Sequence, residues 1–192
     1  MKTYCIKLRG YLDDLAKKKP SPGGGSAVCL ASCLGISLIE KAISFSISKD
    51  ESLRKYLGSL GELKKKVYSY IDQDGQIFEQ ILKAKGSSKL ELIGKSEEII
   101  ITTAKACQEV FCLAGIIKSG IKKSIISDFY IGLEFIAAAL KGCVFNLEAN
   151  RGIFGKKSRY IKIFKRYLTG VSTKFSDKET PVNSKCKIQN AK

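Results

Sequence analysis

The chain of 192 residues contains no histidine. Histidine is the usual near-neutral general base, the common partner of serine and cysteine nucleophiles, and the commonest zinc ligand. Its absence excludes catalysis that depends on histidine, and we expect no metal site. Acid and base chemistry in this protein must use Asp, Glu, Lys, Tyr or Cys.

The sequence also lacks a CxxC pair, although it contains seven cysteines. Most of them lie inside apolar runs, where a free thiol behaves as a small hydrophobic side chain. The N-terminus has no apolar segment followed by a small-residue cleavage site, so no secretory signal is indicated. Together these features predict a reducing, cytoplasmic location.

Long uninterrupted apolar runs are missing as well. The best runs, residues 27–39 and 131–147, are closed or interrupted by charged side chains, whereas a spanning helix needs about 20 mostly apolar residues. We therefore expect both runs to form buried helices of a core and expect no membrane span.

Proline is scarce, with three residues, and no Asn-Gly or Asp-Gly pair lies between alternating apolar runs. The apolar spacing is that of helices, which predicts an all-α multihelical bundle with interrupted helices. We expect one domain over residues 1–168 and a polar, basic, disordered tail over 169–192. The predicted helices cover residues 8–19, 26–48, 53–84, 89–118, 127–150 and 156–168, and the fifth is apolar nearly all round, which predicts a central position.

Positive charge is concentrated near the C-terminus. Residues 151–192 hold 12 Lys and Arg against 2 Asp and Glu, which is +10 of the net +16. Such a segment, with aromatic side chains between basic ones, can attract nucleic acid, an anionic membrane surface or a polyanionic small molecule. Because lysine is abundant throughout the chain, we expect a solvated helix instead, with no nucleic-acid partner.

The segment ProSerProGlyGlyGlySer at 20–26 is the least ordinary part of the sequence. Three glycines let the backbone approach a ligand closely, and the helix that follows presents unpaired N–H groups at its positive end. The segment could hold a carboxylate, phosphate or carbonyl oxygen. A flexible connection between two helices explains the same residues.

Two acids, Asp72 and Asp74, lie inside the predicted third helix. Residues two apart point about 200° apart on a helix, so only one can face the core, and the apolar neighbours favour Asp74. Burial would raise the pKa of that carboxyl toward the range useful to a general base. The alternative is a solvated helix face, where most helical acids lie.

Two further pairs lie on the predicted fifth helix. Asn146 and Asn150 are four residues apart, so their amides can share a face and offer donors and acceptors to a flat heteroaromatic ring. A structural amide pair, or Asn150 closing its helix, is the alternative. Ser127 and Asp128 form an N-cap and an acidic first turn, with or without a functional role.

Three blocks of the sequence, taken together, are more specific than any single motif. They are YLDDLAKKKPSPGGGSAVCLASCLGISLIEK (11–41), YIDQDGQIFEQILKA (70–84) and SDFYIGLEFIAAALKGCVFNLEAN (127–150). In order and in content they resemble the cyclodeaminase/cyclohydrolase family of folate enzymes. The resemblance covers about residues 11–150.

The resemblance implies a multihelical homodimer acting on a tetrahydrofolate derivative, which could be polyglutamylated, without a metal. The family has two activities: hydrolysis of 5,10-methenyltetrahydrofolate to 10-formyltetrahydrofolate, and deaminating cyclisation of 5-formiminotetrahydrofolate. The family's catalytic carboxylate falls on Asp74, with Asp72 as the fallback. The substrate-binding positions implied by the resemblance are Pro22, Gly23, Gly24, Gly25, Ser26, Ser127, Asp128, Asn146 and Asn150.

We expect the cyclohydrolase first, because the sequence carries no formiminotransferase domain to supply the formimino substrate. The cyclodeaminase is the alternative. The chain departs from the family pattern at Gly75 to Ile77, where Ala-Glu-Ala is usual, and at Ile121, where an Asn is common. A catalytically inactive basic binding protein is therefore a second alternative.

Overall fold

The computed structural model describes residues 4–155 and 158–176. Within these residues the secondary structure consists of helices and turns without any strand, which confirms the predicted all-α fold. The helices are α1 (Tyr4–Leu15), α2 (Gly24–Ser46), α3 (Lys55–Lys83), α4 (Gly86–Ile117), α5 (Ile126–Phe154) and α6 (Tyr160–Ser176). A short 3-10 turn over Glu51–Arg54 lies between α2 and α3, and two more, Lys118–Gly120 and Lys123–Ile125, lie between α4 and α5.

The largest difference from the predicted boundaries is at the end of α6, and both ends of α1, the end of α5 and the start of α6 each differ by four residues. Helix α5 begins at Ile126 and its N-cap is Ile125, so Ser127 is not the cap that the sequence predicts. It ends at Phe154 rather than at Asn150, and its C-cap is Gly155, whose φ of 69° is left-handed. Helix α6 continues through Ser176, whereas the sequence predicts its end at residue 168.

The two helices α2 and α5 run antiparallel through the centre of the bundle, and their backbones touch at two glycines. A Cβ on Gly35 would lie 2.7 Å from the Gly132 carbonyl oxygen, and a Cβ on Gly132 would lie 2.9 Å from the Gly35 carbonyl oxygen. Only glycine permits this approach. Helix α3 packs antiparallel on the other side of α2, and α4 packs against both α3 and α5.

The predicted central helix α5 buries one broad face but is not enclosed all round. The buried face includes Phe129, Ile136 and Leu140, which are at most 1% exposed. Other large apolar side chains on the two central helices are exposed, among them Leu34, Phe45, Ile131, Phe135, Phe145 and Ile153. The apolar pattern of α5 thus overestimates its burial within a single chain.

Three helical segments are long and apolar enough, by length and composition alone, to cross a membrane: Gly24–Ser46, Gly86–Gly120 and Lys123–Phe154. In the bundle, between 44% and 50% of the most apolar part of each segment is buried against other helices. The sequence-based expectation that no helix spans a membrane stays a prediction.

Helix α6 belongs to the folded domain. Its Phe164 is 1% exposed and joins the main core, and the Tyr167 hydroxyl donates a hydrogen bond of 3.2 Å to the carbonyl oxygen of Gln108. Burial raises the pKa of Tyr167 to about 12, so this hydroxyl remains a donor at neutral pH. The rest of the predicted basic tail, residues 177–192, lies outside the described residues.

Candidate functional site

The candidate site is built around the first turn of α2. Gly23 is the N-cap, in an extended conformation and without a side-chain hydrogen bond, and the helix begins at Gly24. Glycine is about 1 kcal/mol less favourable than alanine inside a helix, so two glycines at this position call for a reason in the surrounding structure. The first backbone N–H groups of a helix have no intrahelical acceptor and are available to an external one.

The external acceptor is the carboxylate of Asp74. The backbone N–H of Ser26 donates to this carboxylate, and a Cβ on Gly25 would overlap the carboxylate atoms. The absence of a side chain on Gly25 is therefore what lets the acid of α3 lie against the backbone of α2.

Asp74 is half-buried, whereas Asp72 is exposed. Removal from water raises the pKa of Asp74 above its ordinary value, and the hydrogen bond from Ser26 N–H partly offsets that increase. None of the ion pairs among the described residues involves Asp74. A carboxylate in this state keeps a higher proton affinity than one on the surface, which suits a base that must take up a proton.

The amide of Asn146 reaches the same glycine turn from α5. A Cβ on Gly24 would lie 3.2 Å from its Oδ1, so a side chain at this position would crowd the amide. Its Nδ2 is buried and has no hydrogen-bond partner among the described residues. A buried N–H group without an acceptor is rare in folded proteins, and a ligand oxygen or ring nitrogen would satisfy it.

Asn150 is half-buried one turn beyond Asn146, and the helix continues past it to Phe154. The alternative that Asn150 closes its helix is therefore wrong. Pro22 is half-buried in the connection before α2, and the Ser21–Pro22 peptide bond is cis.

Ser127 and Asp128 lie at the opposite end of α5. Asp128 forms an ion pair of 2.6 Å with Lys41, near the C-terminal end of α2, and Ser127 is exposed. Asn146 is 18 residues further along the helix than Asp128, which corresponds to about 27 Å. Within one chain, the structure does not bring Ser127 or Asp128 to the carboxylate of Asp74.

Three residues at the site carry no functional assignment from the sequence: Tyr11, Ser21 and Gly75. The Tyr11 hydroxyl lies 3.1 Å from the Oγ of Ser26, which is fully buried. The Oγ of Ser21 lies where a Cβ on Gly75 would be, so this glycine contacts the hydroxyl directly. Glycine in the middle of α3 was visible in the sequence, but its partner was not.

Buried thiols lie beneath the site. Burial raises the pKa of both Cys29 and Cys107 to about 12, and the pKa of Cys143 is raised well above its ordinary value for the same reason. These cysteines are therefore protonated near neutral pH and act as small apolar side chains, as the sequence predicts. Across residues 4–155 and 158–176, no three His, Cys, Asp or Glu side chains form a cluster that could hold a metal ion.

Known proteins agree with this architecture. The sequence profile of the formiminotransferase-cyclodeaminase family matches residues 7–165, which is most of the chain. The chain belongs to the formiminotransferase-cyclodeaminase family. The resemblance drawn from the three sequence blocks is thereby confirmed, and the matched range includes every residue of the candidate site.

Two known proteins resemble this member of the formiminotransferase-cyclodeaminase family, one in sequence and one in fold. It is 23% identical over 159 residues to a methenyltetrahydrofolate cyclohydrolase of Methylorubrum extorquens, covering 73% of this chain and 76% of that protein. Its fold matches the crystal structure of a formiminotetrahydrofolate cyclodeaminase from Thermotoga maritima with a TM-score of 0.71 and 16% identity, covering 88% and 87% of the two chains.

Proposed function

We propose that this protein is a folate one-carbon enzyme that hydrolyses 5,10-methenyltetrahydrofolate to 10-formyltetrahydrofolate, with Asp74 as the general base. The observation that carries the proposal is the half-buried Asp74 carboxylate, which lies against Gly25 at the first turn of α2 with a raised pKa. Membership of the family and the sequence similarity to the Methylorubrum cyclohydrolase support it.

The substrate suits a site in which Asp74 supplies a carboxylate and no histidine is present in the sequence. The methenyl carbon lies in a delocalised amidinium cation, which the negative charge of Asp74 attracts. Asp74 then takes a proton from a water molecule as its oxygen bonds to the methenyl carbon. The bond from that carbon to N5 breaks and leaves the formyl group on N10, so one water is consumed and one proton is released.

Neighbouring groups orient the substrate. The buried Nδ2 of Asn146 has no acceptor among the described residues, so we assign it to a polar atom of the folate ring system or to the developing oxyanion. Lys18 is exposed in the connection between α1 and the glycine turn, where it can attract the glutamyl tail of a folate. The neighbouring Lys17 and Lys19 both pair with Asp14.

The cyclodeaminase reaction is the second candidate, and the fold shared with the Thermotoga cyclodeaminase favours it. In that reaction the ring nitrogen attacks the formimino carbon and ammonia leaves. Asp74 would move the proton between the attacking and the leaving nitrogen. The same residues therefore serve both reactions, and the substrate decides between them.

The test follows the near-ultraviolet absorbance of methenyltetrahydrofolate with the wild-type protein, Asp74→Asn and Asp72→Asn. We expect decay in proportion to wild-type enzyme concentration, a loss of about a hundredfold or more in Asp74→Asn, and nearly wild-type decay in Asp72→Asn, whose side chain is exposed. An Asp74→Asn protein as active as the wild type would refute the role of Asp74.

A second assay separates the candidate functions. Appearance of the methenyl chromophore from 5-formiminotetrahydrofolate would select the cyclodeaminase. If the wild-type protein catalyses neither reaction, the remaining alternative is an inactive basic binding protein. Its affinity for a nucleic acid would then fall steeply as salt is added.

We also propose that the protein is a homodimer. Large exposed apolar side chains on both central helices, among them Leu34, Ile131 and Phe135, are the surface that a second copy would cover. Light scattering should give twice the mass of the chain for the wild type and the mass of a single chain for Phe135→Glu. A monomeric wild-type protein would contradict this proposal.

A further inference from the structure

The contact between Ser21 and Gly75 has no place in the proposed reaction. Gly75 is buried in the middle of α3, where glycine is the least favourable residue after proline. A Cβ at this position would overlap the Ser21 Oγ and lie 3.1 Å from the Ser21 Cβ. The glycine therefore provides the space in which the serine side chain lies.

The position of this contact is informative, because Gly75 directly follows Asp74. The connection before α2 and its first turn contact two consecutive residues of α3: Ser21 contacts Gly75, and Gly25 contacts Asp74. Both contacts require glycine on one side. The Ser21 hydroxyl is thus held next to the residue that carries the proposed catalytic carboxylate.

The hydroxyl is available to a ligand. Ser21 is only half-buried, and none of the hydrogen bonds among the described residues uses its Oγ. Ser26, in the same segment, differs: it is fully buried and its Oγ lies 3.1 Å from the Tyr11 hydroxyl. A hydroxyl that only filled space beside Gly75 would be replaceable by a methyl or a hydrogen without effect on a substrate.

We propose that Ser21 is a substrate-binding residue, whose hydroxyl hydrogen-bonds the reduced folate bound beside Asp74, and that Gly75 is required to admit it. This inference rests on the proposed function of the site. A neutral hydrogen bond of this kind is worth about a three- to tenfold change in affinity. It should be made equally to the substrate and to the transition state, so its loss raises KM more than it lowers kcat.

The experiment is a double-mutant cycle with Ser21→Ala, Gly75→Ala and the double variant, assayed for kcat and KM with methenyltetrahydrofolate. Each single variant removes the hydroxyl from the same place, so we expect each to raise KM about three- to tenfold. The double variant should raise KM no more than either single variant, because residues in direct contact are not additive. Gly58→Ala is the matched control, since Gly58 lies in the same helix with open space around it.

Binding is measured separately, by equilibrium titration with 5-formyltetrahydrofolate, a stable reduced folate that needs no turnover. The Kd should follow the same pattern as KM. If the wild type binds but does not turn over, the proposed reaction fails while the Kd cycle still decides the role of Ser21. A wild type that neither binds nor turns over overturns both.

Two results would overturn the inference alone. One is a Ser21→Ala protein with the wild-type KM and Kd. The other is a Gly75→Ala protein that weakens binding as much when Ser21 is absent as when it is present. Thermal unfolding of each variant, compared with Gly58→Ala, separates a change in folding from a change in the site.

Discussion

An aspartate lies at each end of the antiparallel α2–α5 pair, Asp128 in α5 itself and Asp74 in the adjacent α3, and their surroundings differ. At one end, Asp128 forms an ion pair with Lys41, whose side chain is 51% exposed. At the other end, Asp74 accepts a hydrogen bond from Ser26 N–H, lies against Gly25, and has a raised pKa because it is partly removed from water. The same side chain is thus neutralised by a cation in one place and left without one in the other.

The comparison shows that the proton affinity of a carboxylate depends on the side chains and cations that are absent around it. Gly25 omits a side chain, so the acid can approach the helix backbone closely, and no ion pair of the described residues neutralises its charge. A surface ion pair such as the one between Lys41 and Asp128 contributes little beyond holding two helix ends together. The following predictions test this difference, from the largest effect to the smallest.

Replacing Gly25 with alanine should have the largest effect. The added methyl would overlap the Asp74 carboxylate and displace it from the first turn of α2. We expect kcat/KM for the folate substrate to fall about a hundredfold, close to the loss expected for a general base. Gly58→Ala, which meets no neighbouring atom, should retain its activity. Comparable activities in the two variants would show that the close approach to Asp74 is unnecessary.

The pH dependence should report the ionisation of Asp74. The carboxylate must be deprotonated to act as a base, and its pKa is raised by burial. As the pH falls through that raised pKa, kcat/KM should decrease about tenfold per pH unit. A profile that breaks only at the ordinary pKa of an exposed aspartate would contradict the assignment.

The free energy of unfolding should change with pH in the opposite sense to kcat/KM. A carboxyl whose pKa is higher in the folded state binds its proton more tightly there, so the free energy of unfolding falls as the pH rises from the ordinary value to the raised one. At pH values above the raised pKa, Asp74→Asn should therefore have a higher thermal unfolding temperature than the wild type. This gain should disappear below the ordinary pKa of aspartate, and an equal gain at every pH would point to another cause.

Replacing Asn146 with leucine should have a smaller effect on activity, and it should change KM without lowering the free energy of unfolding. Leucine at this position removes the buried Nδ2 that has no partner among the described residues. We expect KM to rise about tenfold, while the free energy of unfolding stays the same or increases, because an unsatisfied buried donor is lost. Asn150→Leu, one turn further along α5, should change KM less. A large fall in stability in Asn146→Leu would instead indicate a structural amide.

The opposite end of the helix pair should show the smallest effect. Asp128→Asn and Lys41→Ala should leave kcat/KM within about twofold, since Asp128 lies about 27 Å along α5 from Asn146. Their double-mutant cycle should give a coupling of about 0.2–1 kcal/mol in the free energy of unfolding, as for other exposed ion pairs. A large loss of activity in Asp128→Asn would mean that this end reaches a site in another copy of the chain.

Much of the architecture follows from local sequence signals. The glycines at 23–25 mark the start of α2, and the apolar spacing predicts the long helices. The prolines did not locate the end of α1, which lies at Leu15 rather than at the predicted residue 19. The helix start at Gly24, two residues before the predicted one, was not visible locally, because contacts with Asp74 and Asn146 outweigh the poor helix propensity of glycine.

The glycine turn, Asp74 and Asn146 lie on three different helices, and only the family resemblance grouped them before the structure brought them together. The site was not predictable where the position depends on which helix ends meet. Ser127 and Asp128 share α5 with Asn146, but the antiparallel packing on α2 places Asp128 beside Lys41 and leaves Ser127 exposed at that same end. The contact of Ser21 with Gly75 was not predictable for a different reason. It depends on the side chain that Gly75 lacks, and no sequence pattern links the two residues.

The glycine contacts also limit how this protein can be made more robust by engineering. Exchanging helical glycines for alanine is a common way to raise melting temperature. Gly58 and Gly94 have open space around them and suit that exchange, whereas Gly35 and Gly132 face each other's carbonyl oxygens and do not. A thermostable version for crystallisation should therefore be sought on the outer helices α3 and α4, leaving the glycines of the central pair unchanged.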